Sequence, residues 1–293
     1  MWRSWAKASG RDESLNGLLT IAHLTWVEAR RTRIALAALV CAVLFLGVYA
    51  TALFFLYRHG ANPPARAPLL LRQMQLEILT LAGLYVANFL TLAFAVLLPV
   101  DSISGEIDSG VIETVASKPV ARSAIVLGKW ITFMAMVAVY LLLIAGGVVL
   151  LVWLFTGFMQ QHLAAALPLM FLGAATLLTL SIAGGTRLKT VTNAIVVFGF
   201  YAIAFIGGWI EAIGAQLGSE ASRYIGTSIS LVSPVDALWR LAAHVMQPPM
   251  MQQLPITPFS SAAVPSTAMV VWAVGFVIAT LLVALRGLRT RAL

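Results

Sequence analysis

From Ile131 to Thr186 the chain runs without one aspartate, glutamate, lysine or arginine, and no other feature limits the fold as strongly. The stretch lacks the polar and apolar alternation of a strand, so it reads as helix. It is also too long to cross a hydrocarbon core of about 30 Å only once. The segment TGFMQQHLAAALP, Thr156 to Pro168, supplies a break and divides it into spans near 131–154 and 164–184. Uncharged apolar runs at 34–57, 78–100, 190–210 and 266–285 add four more. Backbone polar groups must be paired inside lipid, and runs of this length without alternation predict helices over barrel strands. The expected fold is an all-α polytopic membrane protein, with six transmembrane helices in a domain over 34–285.

Composition agrees with that reading. Of 293 residues, 60% are hydrophobic and 10% charged, whereas a soluble domain carries roughly 25% charged residues. The formal net charge of +8 sits at the borders of the apolar runs and not on one continuous face, which favours a membrane surface over nucleic acid as its partner. Six crossings place both termini on one side. The connections on that side hold fourteen Lys and Arg residues, against five (Arg58, Arg66, Arg72, Arg223 and Arg240) opposite. The positive-inside rule therefore assigns the N-terminal segment 1–33 and the tail 286–293 to the cytoplasm.

The first apolar run begins only at Ile34, after Arg11, Asp12 and Glu13, too late for an ordinary secretory signal. Ahead of it, Leu15, Leu19, Ala22 and Trp26 form one helical stripe, as in an amphipathic helix lying on the cytoplasmic interface. A basic membrane stop accounts for the same residues. The long connection 211–265 falls on the extracytoplasmic side. Its first half suits short helices that lie in the interface and cap the bundle, and its Pro-rich second half cannot be one continuous helix.

Several chemistries lack their residues. There is no GxxxxGK[ST] loop to cradle ATP phosphates, and no HExxH, CxxC or GxSxG. His23, His59, His162 and His244 stand in separate segments without metal-ligand spacing. Cys41, the single cysteine, reads as a small apolar core residue. Glu77 and Glu211 mark outer span ends, where ordinary solvation is expected, and no ionisable side chain is expected buried within a span. The pairs Gly146–Gly147, Gly184–Gly185 and Gly207–Gly208 offer places for close approach or bending of helices. Catalytic, cofactor and metal sites are therefore expected to be absent from this chain.

Charge concentrates instead in 101–130, DSISGEIDSGVIETVASKPVARSAIVLGKW, between spans two and three. Ile107, Val111 and Val115 recur every four residues, so a helix can turn them to one face and leave Glu106, Asp108 and Glu113 toward water or a partner. Asp101 or Ser102 can cap its start. Gly105 and Gly110 lower its propensity, so it needs tertiary support. Pro119 ends the element and suits the first turn of a second helix, which would run through Arg122 and Lys129 into span three. Such a protrusion can act as a lever on two membrane helices. A solvated linker explains the charge as well.

The segment resembles the signature of permease subunits of the ABC-2 transporter family, a pattern of the form D-x-I-x-G-E-x-x-x-G, then P-x-x-R-x-x-I-V-x-G-K. Asp101, Ile103, Gly105, Glu106 and Gly110 match the first part, and Pro119, Arg122, Ile125, Val126, Gly128 and Lys129 the second. Val111 departs from the threonine often found after the second glycine. The resemblance implies that 101–130 is a cytoplasmic coupling helix against a separately encoded ABC ATPase subunit, in two copies, which would bind ATP and Mg2+ and hydrolyse the nucleotide. It further implies a second permease copy, identical or related, and a plasma-membrane location in a prokaryote. Glu106 and Asp108 would contact the ATPase. Gly105 and Gly110 would shape the backbone, while Pro119, Arg122, Gly128 and Lys129 would position the return helix. Export of an unidentified substrate is the leading expectation. Two alternatives stay open: a permease resembling that of nitrous-oxide-reductase maturation, where the long outer connection would meet a periplasmic accessory protein, and a non-transport membrane scaffold.

Overall fold

In the computed structural model, the described residues are 21–27, 29, 32–58, 69–100, 122–216, 218, 220–248 and 264–290. They are helical, without strands. In chain order the helices are α1 (Arg33–Arg58), α2 (Leu69–Val100), α3 (Arg122–Thr156), α4 (Leu163–Gly185), α5 (Thr190–Gln216), α6 (Glu220–Val232), α7 (Val235–Met246) and α8 (Ala268–Thr290). Six of them, α1 to α5 and α8, are long and apolar enough to cross a membrane. The end at which α1 begins is called the near end below, and the opposite end the far end.

The spans outrun the apolar cores that announce them. α2 starts at Leu69 and carries Arg72, Gln73, Gln75 and Glu77 in its first turns, and α3 starts at Arg122, well before Ile131. These polar residues are good helix formers, so nothing stops the helix where hydropathy falls. At 1.5 Å per residue α2 and α3 are each about 50 Å long, and both must extend beyond a core of about 30 Å.

α4 occupies the middle of the bundle, packed against α2, α3, α5, α7 and α8. Its inward run Gly173, Ala174, Ala175 is buried, and small side chains let neighbouring backbones approach closely. α1 lies to the outside on α2 and α3. Tyr49 Oη donates to the Leu79 carbonyl at 3.0 Å, its ring entering the space left by Gly83. Leu46 fills the space at Gly147, and Gly146 faces open space, so one glycine of that pair serves close approach. Cys41 on α1 is exposed. The expected core position is thus corrected: α1 buries only a narrow stripe, and Cys41 falls outside it.

The connection after α5 differs from its expected form. α6 does not lie across the far end but folds back along α5: Ile229 sits on Gly207, and Gly226 on the Cα and side chain of Glu211. Ser233 and Pro234 make the turn. Val235 then meets Gly173 of α4, its carbonyl oxygen 3.7 Å from where a glycine Cβ would stand. Gly173 is ten residues into α4, about 15 Å along its axis. α7 climbs from there, and its Met246 carbonyl accepts from Gln160 Nε2 at 2.9 Å in the α3–α4 connection. Thus α6 and α7 form a re-entrant hairpin that reaches roughly the middle of the bundle and returns. Twelve residues in α7, about 18 Å, are too short for a crossing.

At Gly226 the neighbour is backbone as well as side chain, so a larger residue must push α6 away from α5. Gly226→Leu is expected to lower unfolding stability in detergent by about 1–3 kcal/mol. Gly146→Ala, facing open space, should leave it unchanged or slightly raised; equal thermal shifts for the two would contradict this packing.

Candidate functional site

Two polar groups of residues occupy opposite ends of the bundle. At the near end the interest lies in how α2 and α3 are held, because these helices flank the charged segment. Asp101, Gly105, Glu106, Asp108, Gly110 and Pro119 lie outside the described residues. Arg122 opens α3. Gly128 is buried, and Lys129 is buried at 5% exposure. The position of Lys129 inside a candidate span runs against the expectation that none holds a buried ionisable group.

Around Lys129 the structure ties three elements together. Trp130 Nε1 donates to Thr179 Oγ1 on α4 at 2.9 Å, and Thr179 Oγ1 donates to its own Ala175 carbonyl at 2.7 Å. Thr132 Oγ1 lies 3.0 Å from the Ala22 carbonyl and 2.9 Å from the Gly128 carbonyl, which docks the helical residues 21–27 onto α3. From the other flank, Ser181 Oγ of α4 donates to the Val96 carbonyl of α2 at 2.9 Å. Asn193 Nδ2 of α5 donates to the Ser181 carbonyl at 2.8 Å, its side chain standing on Gly184. Both helices that bracket the charged segment are therefore hydrogen-bonded to α4. In an apolar surrounding such bonds have no water to compete with them.

At the far end the hairpin carries a buried charge cluster. Asp236 and Arg240 are one helical turn apart on α7, with Arg240 Nε 3.0 Å from Asp236 Oδ2. Arg240 Nη2 lies 2.8 Å from Glu211 Oε2 on α5 and donates to Ser230 Oγ on α6 at 3.1 Å. One guanidinium thus joins three helices. Gly208 makes the cluster possible, since the Asp236 carboxylate occupies the place of any side chain there. Burial pushes the Asp236 carboxyl above the usual carboxylate range, and Arg240 pulls it back. Aromatic pairs lie on the same helices: Tyr85 of α2 meets Trp239 edge-on at 5.4 Å, and Phe89, Tyr201, Phe205 and Trp209 follow one another at 6.2 to 6.4 Å.

These carboxylates overturn the expectation of ordinary solvation. Glu211 is paired with Arg240, and Glu77, in α2 and within a candidate span, is only 5% exposed. The i, i+4 spacing of Asp236 and Arg240 in an otherwise apolar segment was the available signal for the cluster. Among the histidines, His23 and His162 are exposed, His244 is half-buried in the last turn of α7, and His59 lies outside the described residues. The described residues hold no group of His, Cys, Asp or Glu able to bind a metal ion.

A family model described as ABC-2 family transporter protein matches residues 19–287, nearly the whole chain. No match was found among curated proteins.

Removing Arg240 leaves two buried carboxylates without their cation. Arg240→Met is expected to cost about 3 kcal/mol at neutral pH. The sign of its pH dependence follows from proton binding: without the guanidinium the Asp236 carboxyl rises further, so the folded variant holds protons that the unfolded chain has lost. Its deficit should shrink as pH falls into the carboxylate range and grow toward neutrality. Thermal unfolding of variant and wild type across that range reads the difference, and a pH-independent deficit would contradict the assignment.

Proposed function

The chain belongs to the ABC-2 family of transporter proteins, and from that premise we propose how the molecule couples its parts. It is a multi-pass membrane permease of an ABC transporter, a transport subunit that is not itself the ATPase and that works with an ATPase partner. In the proposed cycle two ATPase subunits, each carrying ATP and Mg2+, grip the 101–130 segment of two permease copies from the cytoplasm. The near end is the cytoplasmic end and the far end the extracytoplasmic one, in the plasma membrane of a prokaryote. Glu106 and Asp108 meet the ATPase. Gly105 and Gly110 set the bend, and Pro119, Arg122, Gly128 and Lys129 seat the return helix. Asp101 starts the element.

One observation carries this reading: α2 and α3, the two helices that flank the segment, are both hydrogen-bonded to α4 through Ser181 and Thr179. α4 also packs against α7 of the re-entrant hairpin. A displacement of the segment would therefore reach the far end through a packed helix and not through a slack loop. Movement of the hairpin off α4 would open the far end and release an apolar or amphipathic substrate outward. The aromatic rings near the hairpin, Tyr85, Phe89, Tyr201 and Trp239, suit such a substrate better than a strongly hydrated one.

Purification of the native complex from membranes should recover a soluble P-loop ATPase. Changing Glu106 and Asp108 together to alanine should reduce ATP turnover of the reconstituted complex several-fold, while the far-end variant Gly146→Ala should leave it unchanged. A native complex with no ATPase, or turnover indifferent to the double change, would defeat the reading.

A further inference from the structure

The near end carries a basic rim that the coupling reading does not use. Arg187 and Lys189 stand in the short turn between α4 and α5, and Arg286 lies in the last turns of α8; all three are exposed. Gly287 brings the two regions together. A side chain there would meet Thr186, and Arg187 Nε lies 3.8 Å from the position of its Cβ, so the guanidinium of the turn rests against α8 next to Arg286 in the chain. The turn is held by its own bonds. The Arg187 and Leu188 amides donate to the Gly184 carbonyl at 2.9 and 2.8 Å, and Thr186 Oγ1 donates to the Ala183 carbonyl at 2.7 Å. α4, α8 and the stretch of α5 before Glu211 contain no aspartate or glutamate. Cations gathered on one rim set up a positive field that an anion relieves.

Beneath the rim lies an apolar groove. α5 and α8 both pack on α4 and run in opposite directions, and Phe200 of one stacks on Phe276 of the other at 5.8 Å. Val196 stands four residues before Phe200, and Val283 seven after Phe276, each on the side of its helix that carries the ring. Were the helices to stay in contact, these two side chains would be covered. They are 50% and 46% exposed, so α5 and α8 part between the ring pair and the near end, with α4 as the floor. Phe200 is ten residues after Thr190, and Phe276 eleven before Gly287, which sets the closed end of the groove about 15 Å below the rim. That is half of a hydrocarbon core of about 30 Å, the depth that the acyl chains of one leaflet reach. Neither wall carries a charged residue between the rings and the rim.

We propose that this groove binds an anionic phospholipid of the near-end leaflet: Arg187, Lys189 and Arg286 receive the headgroup phosphate, and an acyl chain lies between α5 and α8 as far as Phe200 and Phe276. A soluble anion would satisfy the rim and leave the apolar walls bare. A zwitterionic lipid would fill the walls and bring a cation of its own to the rim. The anionic lipid matches both parts. Seated there, it bridges the α4–α5 turn and α8, and so braces against α4 a helix that buries only a narrow face in the bundle. The site requires that the chain span a membrane and takes nothing from the ATPase reading.

Native mass spectrometry of the full chain, released from nanodiscs of equal parts phosphatidylglycerol and phosphatidylcholine, tests this. The wild type should retain phosphatidylglycerol in preference to phosphatidylcholine. Arg187→Gln, Lys189→Gln and Arg286→Gln should each lower that preference roughly fivefold, the share of one basic residue at an anionic surface. Arg3→Gln, Lys7→Gln and Arg11→Gln, which remove the same charge from the N-terminal segment, should leave it unchanged. Val196→Trp combined with Val283→Trp, which fills the groove and keeps the rim, should expel the lipid although all three cations remain. Equal retention of the two lipids by the wild type, equal losses from the two sets of charge changes, or undiminished lipid after the groove is filled overturns the proposal. Should the tryptophan variant not accumulate, the glutamine variants, at exposed positions, decide alone. Lipid retention is read without nucleotide, so its outcome is separate from that of the ATPase test.

Discussion

Helices in lipid are not driven together by the hydrophobic effect, since acyl chains are as apolar as leucine, so they must be held by close packing and hydrogen bonds. In this protein that burden falls on α4. Its glycine and alanine run admits α7 at Gly173, and two of its three hydroxyl side chains bind the helices that bracket the charged segment, Thr179 toward α3 and Ser181 toward α2. Neither hydroxyl spoils α4 itself. Thr179 also satisfies the Ala175 carbonyl one turn back, a bond that costs the helix little and leaves its oxygen free to accept from Trp130. The same helix thus meets both the near-end supports and the far-end hairpin.

The hairpin poses the opposite problem, because it brings charge and a non-helical turn inside the bundle. Irregular backbone at this depth is tolerated where protein surrounds it. Ser233 and Pro234 meet that condition, since both are buried, and just before them Trp272 Nε1 of α8 donates to the Leu231 carbonyl at 2.8 Å. Arg240 supplies the second element. A lone arginine there would be costly, but three acceptors from three helices surround it, and Gly208 and Gly226 clear the space for the carboxylates. Because Arg240 contacts α5, α6 and α7 at once, the outer part of α5 and the hairpin behave as one body. Motion is then easiest at the boundary of that body with α4 and α2, whose contacts include the Tyr85–Trp239 pair, with the Gln160–Met246 bond tying the hairpin's end to the α3–α4 connection.

The six spans were legible in the sequence because lipid imposes a length and polarity that hydropathy reads directly. Their ends were not, since Arg72, Gln73, Gln75 and Glu77 continue a helix as readily as leucine does. The close-approach role of Gly207 and Gly208 was visible as a possibility, but its partners, Ile229 and Asp236, lie on a segment whose return path periodicity does not encode. Glu77 shows the limit most clearly. Read along the chain it is a polar residue at the rim of a span, and only the fold shows it enclosed, at 5% exposure. Membership in the ABC-2 family was legible as a resemblance in the charged segment, whose residues from Asp101 to Lys129 match the pattern by type and spacing alone.

The near-end and far-end devices differ in a way that bears on coupling. Thr179 and Ser181 make neutral bonds between helices, insensitive to pH and short enough to transmit displacement in either direction. The far-end contact is ionic and lies within one body: Arg240 joins α7 to Glu211 of α5 and to Ser230 of α6. Splitting that ion pair away from water would leave charge uncompensated. A displacement arriving through α4 therefore meets the hairpin and the outer part of α5 together, and separation falls at their boundary with α4 rather than inside the cluster.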